Sequence, residues 1–396
     1  MGAAPELSEG RLGPVVGLNL LADELAIFIL NVGDGDAIVI RFPEEGGRTT
    51  LGVIDSFKGD KSVALIQTLT PPAPAPTPRI RFVCATHPHF DHIAGLRKVL
   101  TTFDGQVDEF WDSGFRFTST TYRGLIEEVE RQGKDSGLRL VRPTSGVEFF
   151  HAGALITILS PSIALRNRYD TYGVDLNNAS IVTRIAYPAP RPSLDYPKAG
   201  EPTPAAPLAA PKHRTVIFGG DAQTDAWGRV LDEYPHLEPD ERLWARAIGA
   251  KNGRTPLRCD LFKVSHHCSK RGINLELIER LGDRGGGFPS KGPYYLVSSC
   301  ASGADSGYGF PHDVSQSLMR EVTNPQAQAG GIHPTDDELG IHYTAQLLAP
   351  PGVGPAGSLA YVIGADGSGR LYRLGDAVET KVSLANARLV KRHPVN

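Results

Sequence analysis

Cysteine is scarce in this chain. Only Cys84, Cys259, Cys268 and Cys300 occur in 396 residues, and none of them share C-x-x-C spacing. With no basic-then-apolar leader ahead of a cleavage site, this argues against secretion and a disulfide framework, and a reduced, cytoplasmic setting is the expectation. Long apolar runs are missing too: nothing approaches the roughly 20 residues needed to cross a bilayer, so no membrane contact is expected from the chain itself. A dominant charge sign is also lacking, since 41 Lys and Arg face 44 Asp and Glu for a formal net charge of −3. That balance excludes a global basic field, and any contact with nucleic acid must come from a local basic patch.

A hydrophobic content of 40% in a chain of this length is enough for a sizeable core. Residues 1–23, rich in Gly, Ala and Pro, read as a weakly ordered lead-in. Residues 24–325 read as a main domain in which short Ile- and Val-rich runs alternate with helical stretches. Strands are expected at Leu25 to Leu30, Ala37 to Phe42, Leu51 to Ile54, Ile80 to Ala85, Ala154 to Leu159, Ile181 to Tyr187, Thr215 to Phe218, Leu261 to Val264 and Tyr294 to Ser298. Helices are expected at Ser62 to Leu69, from Asp91 to about Leu100, Thr120 to Arg131, Leu275 to Leu281 and Asp313 to Val322. Pro-rich stretches near 71–79 and 188–212 read as surface insertions. Residues 326–396 read as a β-rich extension packed on the main domain, a small appendage or a closing sheet edge. In it, Ile341 to Leu348, Ser358 to Ile363 and Arg370 to Leu374 are strand candidates, the last two joined by the turn-forming Ala365-Asp366-Gly367-Ser368-Gly369.

The chemistry concentrates at Thr86-His87-Pro88-His89-Phe90-Asp91-His92, directly after an apolar strand and at a helix start. Four imidazole and carboxylate groups within six residues suit a divalent cation such as zinc or manganese far better than a chance polar loop. Asp55 ends the preceding strand, where a carboxylate can accept a hydrogen bond from a ligating histidine and fix its tautomer. Asp221 follows Thr215 to Phe218 and two glycines that allow a close backbone approach. His266 and His267 follow Leu261 to Val264 in the same way, and strand ends are where α/β folds gather their sites. Cys268 reads as a small buried thiol rather than a soft ligand.

In this order these segments resemble the metallo-β-lactamase superfamily. The opening Phe28-Ile29-Leu30-Asn31-Val32-Gly33-Asp34-Gly35-Asp36-Ala37, together with Asn177-Asn178-Ala179-Ser180-Ile181-Val182, Lys263-Val264-Ser265-His266-His267-Cys268-Ser269 and Tyr308-Gly309-Phe310-Pro311-His312, is similar to the ComEC-type domain found on bacterial DNA-uptake channels. The resemblance spans roughly Leu25 to Leu318. It implies a four-layer αββα sandwich of α/β class, here with a small C-terminal β appendage, and one or two divalent metal ions at one edge. His87 and His89 would hold the first ion; Asp91, His92 and His266 the second; Asp221 would bridge them. The superfamily's further histidine of the first site is replaced by Asn177-Asn178-Ala179-Ser180, which implies two unequal sites. Cys268 and Phe310 stand where the branch commonly has glycine and histidine.

The function implied is metal-dependent hydrolysis by a metal-activated hydroxide. The leading reading is a phosphodiesterase or nuclease acting on DNA or RNA. Asp91 would orient the nucleophile, and His312, His267 and Lys270 would contact the phosphate or protonate the leaving group. Basic residues at Lys263, Lys270 and Arg271, and at Arg388, Lys391 and Arg392, are candidates for a nucleic-acid patch, though a solvated face explains them equally well. The same metals also suit a small-molecule substrate such as a lactone, thioester or cyclic nucleotide, because one scaffold hosts many reactions. A non-enzymatic binding module on the same fold is the third reading.

Overall fold

The computed structural model describes residues 15–70, 79–166, 175–189, 213–234, 257–281, 293–299, 308–323, 336–345, 356–375 and 381–393. Most of the lead-in, the Pro-rich stretch at 71–78 and nearly all of the second one lie outside the described residues.

Two sheets form the centre. The first contains β1 (Leu25–Ile29), β2 (Ala37–Arg41), β3 (Thr50–Ser56), β4 (Arg79–Ala85), β5 (Val107–Asp112) and β6 (Arg139–Val141), extended by β14 (Leu359–Ile363), β15 (Gly369–Arg373) and β16 (Arg388–His393). Its order is β16-β15-β14-β1-β2-β3-β4-β5-β6, antiparallel as far as β3 and parallel from there to β6. The second contains β7 (Glu148–His151), β8 (Ala154–Ser160), β9 (Val182–Tyr187), β10 (Arg214–Phe218), β11 (Leu261–Lys263), β12 (Tyr294–Val297) and β13 (Ile341–Tyr343). It runs β13-β12-β11-β10-β9-β8-β7. The strands expected at the C-terminal end are thus the closing edges of both sheets: β13 ends the second, and β14 pairs directly with β1. The turn at 365–369 joins β14 to β15 as a hairpin, with Asp366 Oδ1 accepting from Ser368 N at 2.8 Å.

Side-chain alternation assigns the layers. In β1, Leu25, Ile27 and Ile29 point between the sheets, where they meet Ile156, Ile158, Ile185, Val216 and Phe218. Ala26 and Phe28 point the other way, against Val63 and Ile66, Leu96 and Val99, and Leu125 and Val129 of three helices. The outer face of the second sheet, with Ile217, Phe262 and Tyr295, is covered by Trp227, Val230, Leu277, Ile278 and Met319. Helix, sheet, sheet and helix therefore stack in four layers, and both faces of each central strand are apolar.

The helix expected from Asp91 is two helices, Phe90–Ile93 and Leu96–Thr102. The break at Gly95 is a close crossing: its N–H donates to Ser56 O at 2.6 Å, and a Cβ there would lie 2.3 Å from Gly59 N. Only glycine passes, and that contact holds the histidine loop against the end of β3.

Candidate metal centre

The ends of β3, β4, β10, β11 and β12 lie along one edge and deliver the polar residues of the site. Asp55, at the end of β3 with φ 54°, is fully buried. It accepts from Thr86 N at 2.8 Å, from Thr86 Oγ1 at 2.7 Å and from His92 Nδ1 at 2.7 Å. Nδ1 of His92 therefore carries the proton, and Nε2 is left to face the centre.

Among the described residues three groups of ligand-type atoms result; Asp36, Asp55 and His92 form one behind the His92 ring, and the other two meet at Asp221. Of these two, Asp91, His92, Asp221 and His267 form one, and His87, His89 and Asp221 the other. Asp221 is shared, and its two oxygens divide the work. Oδ1 lies 3.1 Å from His92 Nε2 and 3.7 Å from His267 Nε2, while Oδ2 lies 3.6 Å from His87 Nε2. On the second side Asp91 Oδ2 is 3.2 Å from His267 Nε2, and on the first His87 Nε2 is 3.0 Å from His89 Nδ1. Ligand atoms on one tetrahedral zinc are separated by roughly 3.3 Å, from bonds of about 2.0–2.1 Å. His92 Nε2 and Asp221 Oδ1 are buried, yet neither makes a hydrogen bond. Buried polar atoms without a partner need a cation or protons between them, and the donor set fits a divalent cation.

The electrostatics agree. Burial works against charge on His92, but Asp221, Asp55 and Asp91 together raise its pKa well above the usual histidine value. His267 is raised against the same burial by Asp221, Asp91 and Asp36. Burial favours a neutral Asp221, yet His92 and His267 pull its carboxyl well below the ordinary range. Asp91 is likewise opposed by burial and lowered by His92 and His267. The carboxylates thus demand positive charge at the centre of the cluster. His87 is lowered, chiefly by burial and then by its neighbour His92, and stays neutral.

Of the expected residues, the structure brings His87, His89, Asp91, His92 and Asp221 together. It does not place His266 with Asp91 and His92: His267 occupies that position, with Nδ1 facing the Ser298 carbonyl at 3.1 Å. The cause is the backbone. His266, His267 and Cys268 all have positive φ, of 50°, 50° and 66°, so simple strand alternation does not carry through. His312 is tied to this turn: its N–H donates to Cys268 O at 3.1 Å, and its Nδ1 accepts from Lys270 N at 3.1 Å. Lys270 and Arg271 are exposed. Lys263 is not part of any surface patch, because it is completely buried in an ion pair with Asp36. Cys268 is a buried thiol, and burial pushes its pKa up.

Sequence reasoning gave Asp36 no role, yet it sits under the site, 3.8 Å from His92 Nδ1 and 3.9 Å from His267 Nδ1. The signal was the polar run Asn31 to Asp36 immediately before an apolar strand. Gln223 was also missed; its amide lies 3.1 Å from His266 Nδ1.

Residues 59–193 match the profile of the Metallo-beta-lactamase superfamily. No curated protein matches the chain. Among solved structures, the metallo-beta-lactamase fold protein YhfI from Bacillus subtilis is 10% identical, with 61% of this chain and 70% of that one covered at a TM-score of 0.28. A metallo-beta-lactamase from Hirschia baltica is 14% identical, covering 56% and 86% at 0.27. Zinc-bound PqqB from Methylobacterium extorquens is 16% identical, covering 58% and 76% at 0.29. At such TM-scores the assignment of the fold rests on the strand order and the profile match.

Proposed function

We propose that this protein is a member of the metallo-beta-lactamase superfamily and a metal-dependent hydrolase whose substrate is a phosphodiester, in DNA or RNA. The observation that carries the reading is Asp221, whose two oxygens face two separate groups of ligand atoms. His87, His89 and Asp221 on one side and Asp91, His92, Asp221 and His267 on the other would hold divalent ions, zinc or manganese by the chemistry of the donors, and such ions would supply an activated water and charge stabilisation for an in-line displacement.

The chain's own residues do the rest. Asp91 is the partly exposed carboxylate of the second group, at 19% against 3% for Asp221, and is held ionised by its histidines. It would orient the attacking water. The Lys270 backbone N–H donates to His312 Nδ1 at 3.1 Å, and these two residues would meet the substrate's anionic group or the departing oxygen. Aromatic side chains stand near these residues: Phe310 lies 5.3 Å from the His312 ring, and Phe90 sits between His89 and Asp91 in the chain. Phe90 is 58% exposed and Tyr308 66%, and Phe310 lies 5.1 Å from the His266 ring. Rings of this kind stack on unpaired bases, which supports a nucleic-acid substrate similar to that implied by the ComEC-type resemblance.

Hydrolysis of a small molecule is the second reading, favoured by the burial of Lys263, which removes one cation from the surface near the site. Incubating the protein loaded with manganese, zinc or magnesium with single- and double-stranded DNA and RNA separates the two. Cleavage that is lost in a His87→Ala, His89→Ala control supports the first. No cleavage above that control, with turnover of a lactone, thioester or cyclic nucleotide, replaces it with the second.

A further inference from the structure

The two groups of ligand atoms that meet at Asp221 are unequal. The second has four members, the first only His87, His89 and Asp221. His266 stands beside the shorter one. Its Nε2 lies 3.8 Å from Asp221 Oδ2, the oxygen that also faces His87, rather than from the Oδ1 that faces His92 and His267. We propose that His266 is a ligand of the first metal position, joining His87, His89 and Asp221, so that consecutive histidines serve the two positions separately. This rests on the metal-binding reading above and assigns a role to one residue within it.

Three observations support it. The first is orientation. His92 and His267 both turn Nε2 toward Asp221 and have Nδ1 engaged behind, by Asp55 and the Ser298 carbonyl. His266 repeats that pattern, with Gln223 at Nδ1. The atom at Nδ1 is Gln223 Nε2; with the amide flipped, its oxygen accepts the Nδ1 N–H and His266 Nε2 is left unprotonated, the form a metal requires.

The second is backbone cost. On a continuing strand, neighbours 266 and 267 would point to opposite faces. Here both are left-handed, a conformation that costs a non-glycine residue energy and persists only where the surroundings enforce it. The enforcement is visible. His266 N donates to Gly220 O at 3.0 Å, and Cβ atoms at Gly219 or Gly272 would come within 2.0 Å of Ser265 Oγ and 2.4 Å of Ser265 O. The turn delivers two adjacent imidazoles to one carboxylate, one to each of its oxygens.

The third is what the segment before β9 does instead. Asn178 Oδ1 accepts from Gln223 N at 3.2 Å and Ala226 N at 3.1 Å, and Ser180 Oγ accepts from Asp221 N at 3.2 Å. These side chains are spent on shaping the loop that carries Asp221 and Gln223, so they support the first position without ligating it.

The test is metal binding, read without reference to turnover. Zinc is titrated into the wild type and into His266→Ala, His267→Ala and Gln223→Ala against a competing chelator. Independently, nitrogen-15 spectra of the wild-type histidines are followed during loading. The expected result is two ions in the wild type, with the His266 Nε2 resonance moving to that of a coordinated nitrogen. In His266→Ala one ion should stay tight while the other weakens about 100-fold or more. Gln223→Ala should weaken the same ion by about 10-fold, as removal of an orienting partner does. His267→Ala should weaken the other ion. Unchanged binding in His266→Ala, or an uncoordinated His266 Nε2 in the loaded wild type, overturns the assignment alone. A wild type that takes no ion overturns the metal reading with it.

Discussion

Replacing Asp55 by Asn isolates one link between the fold and the metal centre. The change is nearly isosteric and removes one charge from a carboxylate that accepts three hydrogen bonds, two from Thr86 and one from His92 Nδ1. An amide offers one oxygen and one NH2 group. With its oxygen kept on Thr86 N, the NH2 group must face both Thr86 Oγ1 and His92 Nδ1. Two donors cannot share that contact, so the proton on His92 moves to Nε2, the nitrogen that faces Asp221 Oδ1. The second metal position then meets an N–H instead of a lone pair. Loss of an orienting partner of this kind costs about 10–100-fold in metal affinity, which corresponds to about 1.4–2.7 kcal/mol. The metal-free protein should change less, because the lost hydrogen bonds are offset by removing a buried charge whose pKa burial already pushes up against His92. Chelator-competition titration should show one of two ions weakened and the other held, with urea unfolding of the metal-free variant within about 2 kcal/mol of wild type. Affinities for both ions unchanged from wild type in Asp55→Asn would refute the claim that Asp55 sets the His92 tautomer.

Three further outcomes follow from the geometry. Lys263→Met should destabilise the protein by about 3–5 kcal/mol, because it leaves Asp36 buried without its cation, and adding Asp36→Leu should restore much of that; denaturant melts in which the single variant matches wild type would contradict it. Gly35→Ala places a Cβ 2.6 Å from Phe57 Cδ1 and 2.7 Å from Asp91 O, so a loss of about 1–3 kcal/mol should accompany weaker binding at the position that uses Asp91; unaltered stability and affinity together would show that the loop yields freely. The third concerns pH. Raised pKa values keep His92 and His267 protonated above pH 6.5 in the metal-free protein, so loading must expel protons and affinity must fall as pH falls through those raised values. Calorimetry at pH 7.5 in buffers of different ionisation enthalpy should report at least one proton released per chain, and none released would overturn the electrostatic account.

What the sequence disclosed follows the locality of each signal. His87, His89, Asp91 and His92 are contiguous and follow an apolar strand, so their grouping needs no knowledge of the fold. The central strands are legible because burial on both faces makes them continuous apolar runs, as in Leu25–Ile29. Strand β5 was overlooked since Asp108 and Glu109 interrupt it, and only the structure shows Glu109 accepting from Trp111 Nε1 and pairing with Arg81. Edge strand β16 carries Arg388, Lys391 and Arg392, charges that suit a sheet edge and disguise it as a solvated tail. The histidine pair is the instructive failure. Strand alternation allows one of two neighbours to face a site, and nothing in Ser265-His266-His267-Cys268 announces three left-handed residues in a row. The turn brings both imidazoles to Asp221, and the carboxylate's two oxygens, rather than the strand, decide which position each one serves.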